Sequence, residues 1–207
     1  ASDGWLGHGT GPLCRYPDRP AFHQRYDFVP DAETQVLTMP LTPTHLGPGL
    51  FAYSLKPRLF NFWALALGSM MMDGENVFWT IVNLFRSCTP ACGHHGFFHS
   101  ILGAVLGSLV LSFVLKLVSD RLKKSWPVPK LFCSSLLGWL SHIIFDSLVH
   151  ADVFLFWPLN ANPFLMSWKL YWPLSLALSV LSLLSLLIIL LKVISKKKHE
   201  RTLDNLF

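Results

Sequence analysis

The chain has 207 residues, of which 52% are hydrophobic and only 14% are charged. This composition excludes an ordinary soluble domain and is typical of a small polytopic membrane protein. The net charge of +5 does not indicate nucleic-acid binding, because the basic residues cluster at the ends of apolar segments, where they serve as topology anchors.

The first 38 residues differ from the rest of the chain. They are rich in Gly, Pro, Asp and Arg, carry no helical periodicity and contain no signal-peptide hydrophobic region. We predict that residues 1–38 are a disordered extension or a non-native upstream segment, with Met39 as a natural start. Residues 39–195 should form a membrane-embedded helical domain, and residues 196–207 a basic cytoplasmic tail.

Five apolar segments follow Met39. Residues 46–55 are too few for a full crossing and predict a half-span or an interfacial helix. The four longer segments cover residues 59–85, 99–118, 131–149 and 172–194, and the last three are near the roughly twenty residues that cross a bilayer. The sequence therefore predicts an all-α, polytopic membrane bundle of about four transmembrane helices plus the short N-terminal helix.

The basic residues predict the orientation of this bundle. Lys56 and Arg58, the 121–130 loop and the 196–201 tail all fall on one side of the predicted membrane, which should be the cytoplasmic side. The opposite loops, residues 86–98 and 151–171, contain only Arg86 and Lys169 as basic residues. The chain should therefore lie in a lipid bilayer with these two loops on the non-cytoplasmic side.

One apolar segment contains three potential metal ligands. His142, Asp146 and His150 are spaced i, i+4, i+8, so on a helix they form one stripe along a single face. Ionisable side chains at membrane depth are energetically costly and usually mark a function. This stripe is therefore the first candidate site.

Two other segments bring similar side chains to the same level of the membrane. His94 and His99 stand at the start of the 99–118 segment, and Asp73 and Glu75 interrupt the segment before it. Two residues two positions apart cannot share one helical face, so a break at Gly74 would be needed to turn both carboxylates inward. Without such a break, Asp73 is the predicted ligand.

Imidazole and carboxylate side chains together favour a divalent metal, zinc first, with manganese or iron as alternatives. A mixed ligand set of this kind leaves coordination positions open for water, which is typical of catalytic sites. Glu75 or Asp152 would then act as the general base. Two other interpretations stay open: a structural polar clamp between helices, and a path for protons or metal ions. The small number of spans and the lack of a visible inverted repeat disfavour a transporter.

Five short motifs occur along residues 39–163 and together resemble a known family. They are MPLTPTH at residues 39–45, the histidine block at residues 94–100, the pair His142/Asp146, the triplet His150-Ala151-Asp152 and the pair Asn162-Pro163. The first three, in this order, resemble the predicted membrane-bound metal-dependent hydrolases that include the LexA-regulated inner-membrane type. With the last two, the resemblance is closest to a bacterial branch of that family.

The resemblance implies a bacterial inner-membrane location and a helical fold distantly similar to zinc-dependent phospholipase C and P1-type nucleases. It further implies hydrolysis of a phosphoester. Because the distribution of basic residues places the candidate ligands at membrane level toward the non-cytoplasmic side, we expect the substrate to be a lipid or a lipid-linked head group. Carried over by position, the implied metal ligands are His45, Asp73, His94, His99, His142, Asp146 and His150.

Overall fold

The computed structural model describes residues 42–75, 96–150, 153–159 and 162–204. All regular structure in these residues is helical, which confirms the all-α prediction. The α-helices are α1 (Leu46–Leu55), α2 (Phe62–Met70), α3 (Ile101–Arg121), α4 (Val128–Val149) and α5 (Tyr171–Asp204). Short 3-10 turns precede α1, α3 and α5, at Thr42–His45, Phe97–His99 and Trp168–Leu170.

Among the described residues, three helices are long and apolar enough to cross a membrane: Ile101–Arg121, Val128–Val149 and Tyr171–Lys197. They correspond to the last three predicted spans. The short helix α1 has the predicted bounds and, at 10 residues, is about 15 Å long, roughly half of the hydrocarbon thickness.

The predicted span over residues 59–85 is not one continuous helix in the part that the structure describes. Helix α2 ends at Met70, and a turn at Met71 and Met72 separates it from Asp73. Residues 76–85 lie outside the described residues, so the fourth span stays a prediction. The predicted N-terminal extension at residues 1–38 also lies outside them, whereas the basic segment from Lys196 onward continues α5 as far as Asp204.

The helix starts follow from local sequence. The side chain of Asn61 accepts a hydrogen bond from the Ala64 amide at 3.0 Å and caps α2. Ser100 caps α3 in the same way through the Gly103 amide, also at 3.0 Å. Helix α4 follows Pro127 and has a proline in its first turn, where an N–H would have no helical partner.

Two lysine contacts align one end of the bundle. The Lys130 ammonium group donates a hydrogen bond to the carbonyl of Arg58 at 2.8 Å, and that of Lys192 donates to the carbonyl of Ser54 at 2.6 Å. The end of α1, the starts of α2 and α4, and residue 192 of α5 therefore share one level. We call this level, defined by Arg58, Lys130 and Lys192, the basic end.

Small residues let α2 and α4 approach each other closely. A Cβ atom added at Gly68 would meet the backbone of Ser135, and one added at Gly138 would meet the carbonyl oxygen of Leu65. The backbone N–H of Asn61 also donates a hydrogen bond to the Ser134 hydroxyl at 2.8 Å. Backbone contact through small residues is the usual way in which membrane helices pack. It fixes the register of α4 against α2.

Glycines also position the two neighbouring helices. A Cβ atom at Gly47 of α1 would lie 2.7 Å from the carbonyl oxygen of Leu178 in α5. A Cβ atom at Gly107 of α3 would overlap the ring of Trp139 in α4. Helix α1 is thus held against α5, and α3 against α4, with the starts of α1 and α3 at the end of the bundle away from the basic end.

Candidate metal centre

His142 lies where α4 crosses the last turn of α2. Its Nδ1 atom is 2.7 Å from the Ser69 carbonyl oxygen, and because a carbonyl only accepts hydrogen bonds, Nδ1 carries the proton. In the neutral ring, which is the form that binds a metal, the lone pair is then on Nε2. That atom faces two carboxylates, with Oδ2 of Asp146 at 3.0 Å and Oδ1 of Asp73 at 3.5 Å.

Asp146 lies one turn after His142 and connects three histidines. Its Oδ1 atom is 3.5 Å from Nε2 of His45, and its Oδ2 atom is 4.0 Å from Nε2 of His99. The side chain is almost completely buried, with 3% of the residue exposed. A buried carboxylate needs compensating charge or metal coordination, because removing it from water is expensive.

His45 reaches the centre from the N-terminal side of α1. Its ring stacks on that of His142, with 3.9 Å between centroids and 15° between planes. The Ser182 hydroxyl donates to the carbonyl of Thr44 at 3.2 Å and helps to fix this turn against α5. The short helix therefore runs from the candidate centre toward the basic end, which is the arrangement His45 needs to act as a ligand.

His99 is fully buried in the 3-10 turn before α3. Its Nδ1 atom is 3.6 Å from Oε2 of Glu75, and the same oxygen accepts a hydrogen bond from the Phe98 amide at 3.3 Å. From the other side, the Trp139 indole N–H donates to the Phe98 carbonyl at 2.9 Å. Glu75 and Trp139 thus hold the turn that presents His99.

We call the five converging side chains the His–Asp cluster: His45, Asp73, His99, His142 and Asp146. Two overlapping groups within it, His45/His142/Asp146 and Asp73/His99/His142, each place one ligand atom per residue within 4.8 Å of the others. Ligands bonded to zinc at about 2.1 Å in a tetrahedron lie roughly 3.4 Å apart. The 3.0–4.0 Å separations between facing atoms therefore fit a divalent metal.

The other predicted site residues take different positions. His150 ends α4 and lies outside both ligand groups; its ring meets that of Tyr171 edge-on, with 6.1 Å between centroids. The Asn162 amide donates to the carbonyls of Ser147 and His150 at 2.7 and 2.9 Å, holding this helix end. His94 and Asp152 lie outside the described residues.

Sequence reasoning missed the supporting residues of the cluster. Ser69 acts through its backbone carbonyl and Trp139 through its indole N–H, and neither contact has a local sequence signature. From the sequence, a helix break at Gly74 is one option, whereas the break in the structure occurs earlier. It lies at Met71 and Met72, and it turns Asp73 toward His142 and Glu75 toward His99.

Replacing Trp139 by Phe should weaken metal binding while the fold is kept. The substitution retains the ring against Gly107 but removes the N–H that holds the Phe98 carbonyl. Groups that orient ligands typically contribute about 10–100-fold to metal affinity, so we expect a loss in that range in a competition titration with a chelator. An unchanged affinity would show that the turn carrying His99 is held without this bond.

The chain matches a known protein family. The model of the YdjM inner membrane protein family matches residues 39–203. Among curated proteins and among solved structures, none matches the chain significantly. The family match includes the short helix, all three spanning-length helices and the whole His–Asp cluster. The chain therefore belongs to the YdjM inner membrane protein family.

Proposed function

We propose that this protein is a membrane-embedded, metal-dependent hydrolase that cleaves a phosphoester in a lipid or a lipid-linked head group. The observation that carries the proposal is the His–Asp cluster, in which three imidazoles and two carboxylates from four segments of the chain converge, all of them buried except the half-buried Asp73. A mixed set of nitrogen and oxygen ligands suits zinc, with manganese or iron as alternatives. The resemblance to phosphoester hydrolases supplies the reaction class.

The depth of the cluster supports a lipid substrate. His142 is 12 residues after Lys130 in the same helix, which places it about 18 Å from the basic end. In a hydrocarbon layer of about 30 Å, this is the half away from the basic end. Because basic residues mark the cytoplasmic side, we infer that the cluster faces the non-cytoplasmic leaflet.

In this proposal, different residues of the chain bind the metal, orient a ligand and act as the general base. A divalent metal bound by the cluster would supply Lewis-acid chemistry and a water of lowered pKa. Asp146 would hold it through a carboxylate shared among three histidines. Glu75 lies against Nδ1 of His99, a position that orients a ligand, as carboxylates beside metal-bound histidines do. Of the two predicted candidates for the general base, Glu75 and Asp152, this assignment leaves Asp152, which lies outside the described residues.

Replacing Glu75 by Gln tests whether Glu75 orients the ligand His99 or acts as the general base. If Glu75 orients His99, the variant should lose about 10–100-fold in metal affinity, and saturating metal should restore hydrolysis. The measurement is phosphoester hydrolysis as a function of added zinc. Full metal occupancy with no hydrolysis would instead assign Glu75 as the general base and contradict the positioning role.

The test of the proposed function combines metal content and activity. We expect protein purified in mild detergent to retain zinc, manganese or iron by elemental mass spectrometry, and to hydrolyse a chromogenic phosphodiester or a phospholipid in mixed micelles. Metal without hydrolysis of either substrate would reject the phosphoesterase. Metal uptake into proteoliposomes that is lost on replacing His142 by Ala would point to translocation, and no metal at all would leave the cluster as a structural clamp.

A further inference from the structure

The end of the bundle away from the basic end contains an apolar cavity. A cavity of about 270 Å³ lies between the first turn of α3, residues 140–148 of α4, and Leu155, Phe156 and Phe164. Its lining surface is entirely apolar, and the Ser147 hydroxyl that borders it donates to the Ile144 carbonyl at 2.7 Å instead. No polar group is therefore available there to hold water.

The cavity is separate from the His–Asp cluster. Ile143 and Ser147 line it, and each follows a cluster residue of α4, His142 and Asp146, by one position. One position is a rotation of about 100° around a helix, so the two sites lie on different faces of α4. Ile143 is fully buried and stands in the wall of the cavity.

The walls of the cavity are held in place by backbone hydrogen bonds. The Ile101 amide donates to the Leu155 carbonyl at 2.9 Å, and the Met166 amide donates to the Leu148 carbonyl at 3.0 Å. These bonds attach the segment after α4 to the start of α3 and to the end of α4. The cavity is thus a built feature of the fold and does not depend on side-chain packing alone.

The depth of the cavity identifies its surroundings. Residues 140–148 lie 10 to 18 positions after Lys130, which is about 15–27 Å from the basic end and within the roughly 30 Å hydrocarbon layer. Trp157 and Trp172 are exposed beyond it, at 44% and 67%, as expected for a ring of aromatic residues at the membrane interface. The cavity therefore lies in the acyl-chain region of the leaflet away from the basic end.

The cavity is also continuous with the lipid-facing surface. Ile144, Phe156 and Phe164 line it and are at the same time 49%, 43% and 49% exposed. The medium at this depth is hydrocarbon, and an empty cavity would forfeit the dispersion contacts of its walls. Its volume is slightly below the range of small-molecule pockets, which suits a segment of one chain rather than a whole lipid.

We propose that this cavity binds part of one acyl chain of a lipid from the leaflet away from the basic end, independently of the His–Asp cluster. The occupant is argued from the apolar lining, the depth in the bilayer and the opening toward lipid. The site holds the acyl chain between α3, α4, and Leu155, Phe156 and Phe164, and so connects the helix that carries His142 and Asp146 to the residues that follow it.

The experiment uses the full chain in phosphatidylglycerol vesicles that contain a small fraction of lipid with a diazirine on the acyl chain. After irradiation, peptide mass spectrometry should find crosslinks concentrated in residues 140–148 and at Leu155, Phe156 and Phe164. Replacing Ile144 by Trp should reduce the labelling of these residues to the level of the other lipid-exposed faces, because the larger side chain fills the cavity and removes the wall contacts that hold the chain. Leu148→Phe fills the same cavity and serves as a second test if the Ile144→Trp variant does not fold.

The matched control is Val110→Trp, on a part of α3 that is 65% exposed and outside the cavity. It should leave the labelling at residues 140–148 unchanged, and all variants should retain the metal content of the unaltered protein. Labelling spread evenly over the exposed faces of α3 and α4, or insensitive to both cavity-filling variants, would show ordinary surrounding lipid only and overturn the proposal. Either result is independent of whether the protein hydrolyses a phosphoester.

Discussion

Replacing Asp146 by Asn should remove the bound metal almost completely. The substitution keeps the shape of the side chain but removes the negative charge from the atom group that faces His45, His99 and His142. Loss of an orienting group beside a ligand already costs about 10–100-fold in metal affinity, and the loss of a central ligand should exceed that range. Elemental mass spectrometry of the purified variant is the measurement.

Asp120→Asn is the matched control for this prediction. Asp120 is exposed near the end of α3 and pairs with Lys116, far along that helix from His99. The same chemical change there should leave the metal content unaltered. Retention of metal by the Asp146 variant at the level of this control would exclude Asp146 as a ligand and would turn the cluster into an ion-pair network.

The second large effect concerns the packing of α2 on α4. Replacing Gly138 by Ala should destabilise the protein by about 1–3 kcal/mol, because the added Cβ atom would meet the Leu65 carbonyl and the Ser69 amide. The helices must then separate, which also draws the Ser69 carbonyl away from Nδ1 of His142. We therefore expect a lower melting temperature and reduced metal affinity in the same variant.

Gly74→Ala provides the contrast. A Cβ atom at Gly74 has nothing within 4 Å, so the variant should keep its metal and be as stable as the unaltered protein or slightly more stable, given the better helix propensity of Ala. Thermal unfolding in detergent, followed by circular dichroism, compares the two. Equal melting temperatures would show that α2 and α4 do not pack through Gly138.

The one-dimensional features of this protein follow from its sequence alone. The apolar run at residues 46–55 ends at a charged residue, so the bounds of α1 could be predicted, and the spanning-length helices follow from the length of their apolar segments. The shared face of His142 and Asp146 follows from the 3.6-residue period. These properties are local, since each depends on residues within one helix.

The contacts between helices were decided by tertiary structure. Whether His45 reaches the cluster depended on the direction of α1, which is set by Gly47 against α5. His150 shares the predicted stripe with Asp146 yet lies outside both ligand groups, because α4 ends there and its last carbonyls are held by Asn162. The spacing of residues along one helix determines which side chains share a face. Which other helix packs against that face depends on how closely the two backbones approach each other. At Gly68 and Gly138 that approach is set by atoms from two distant parts of the chain.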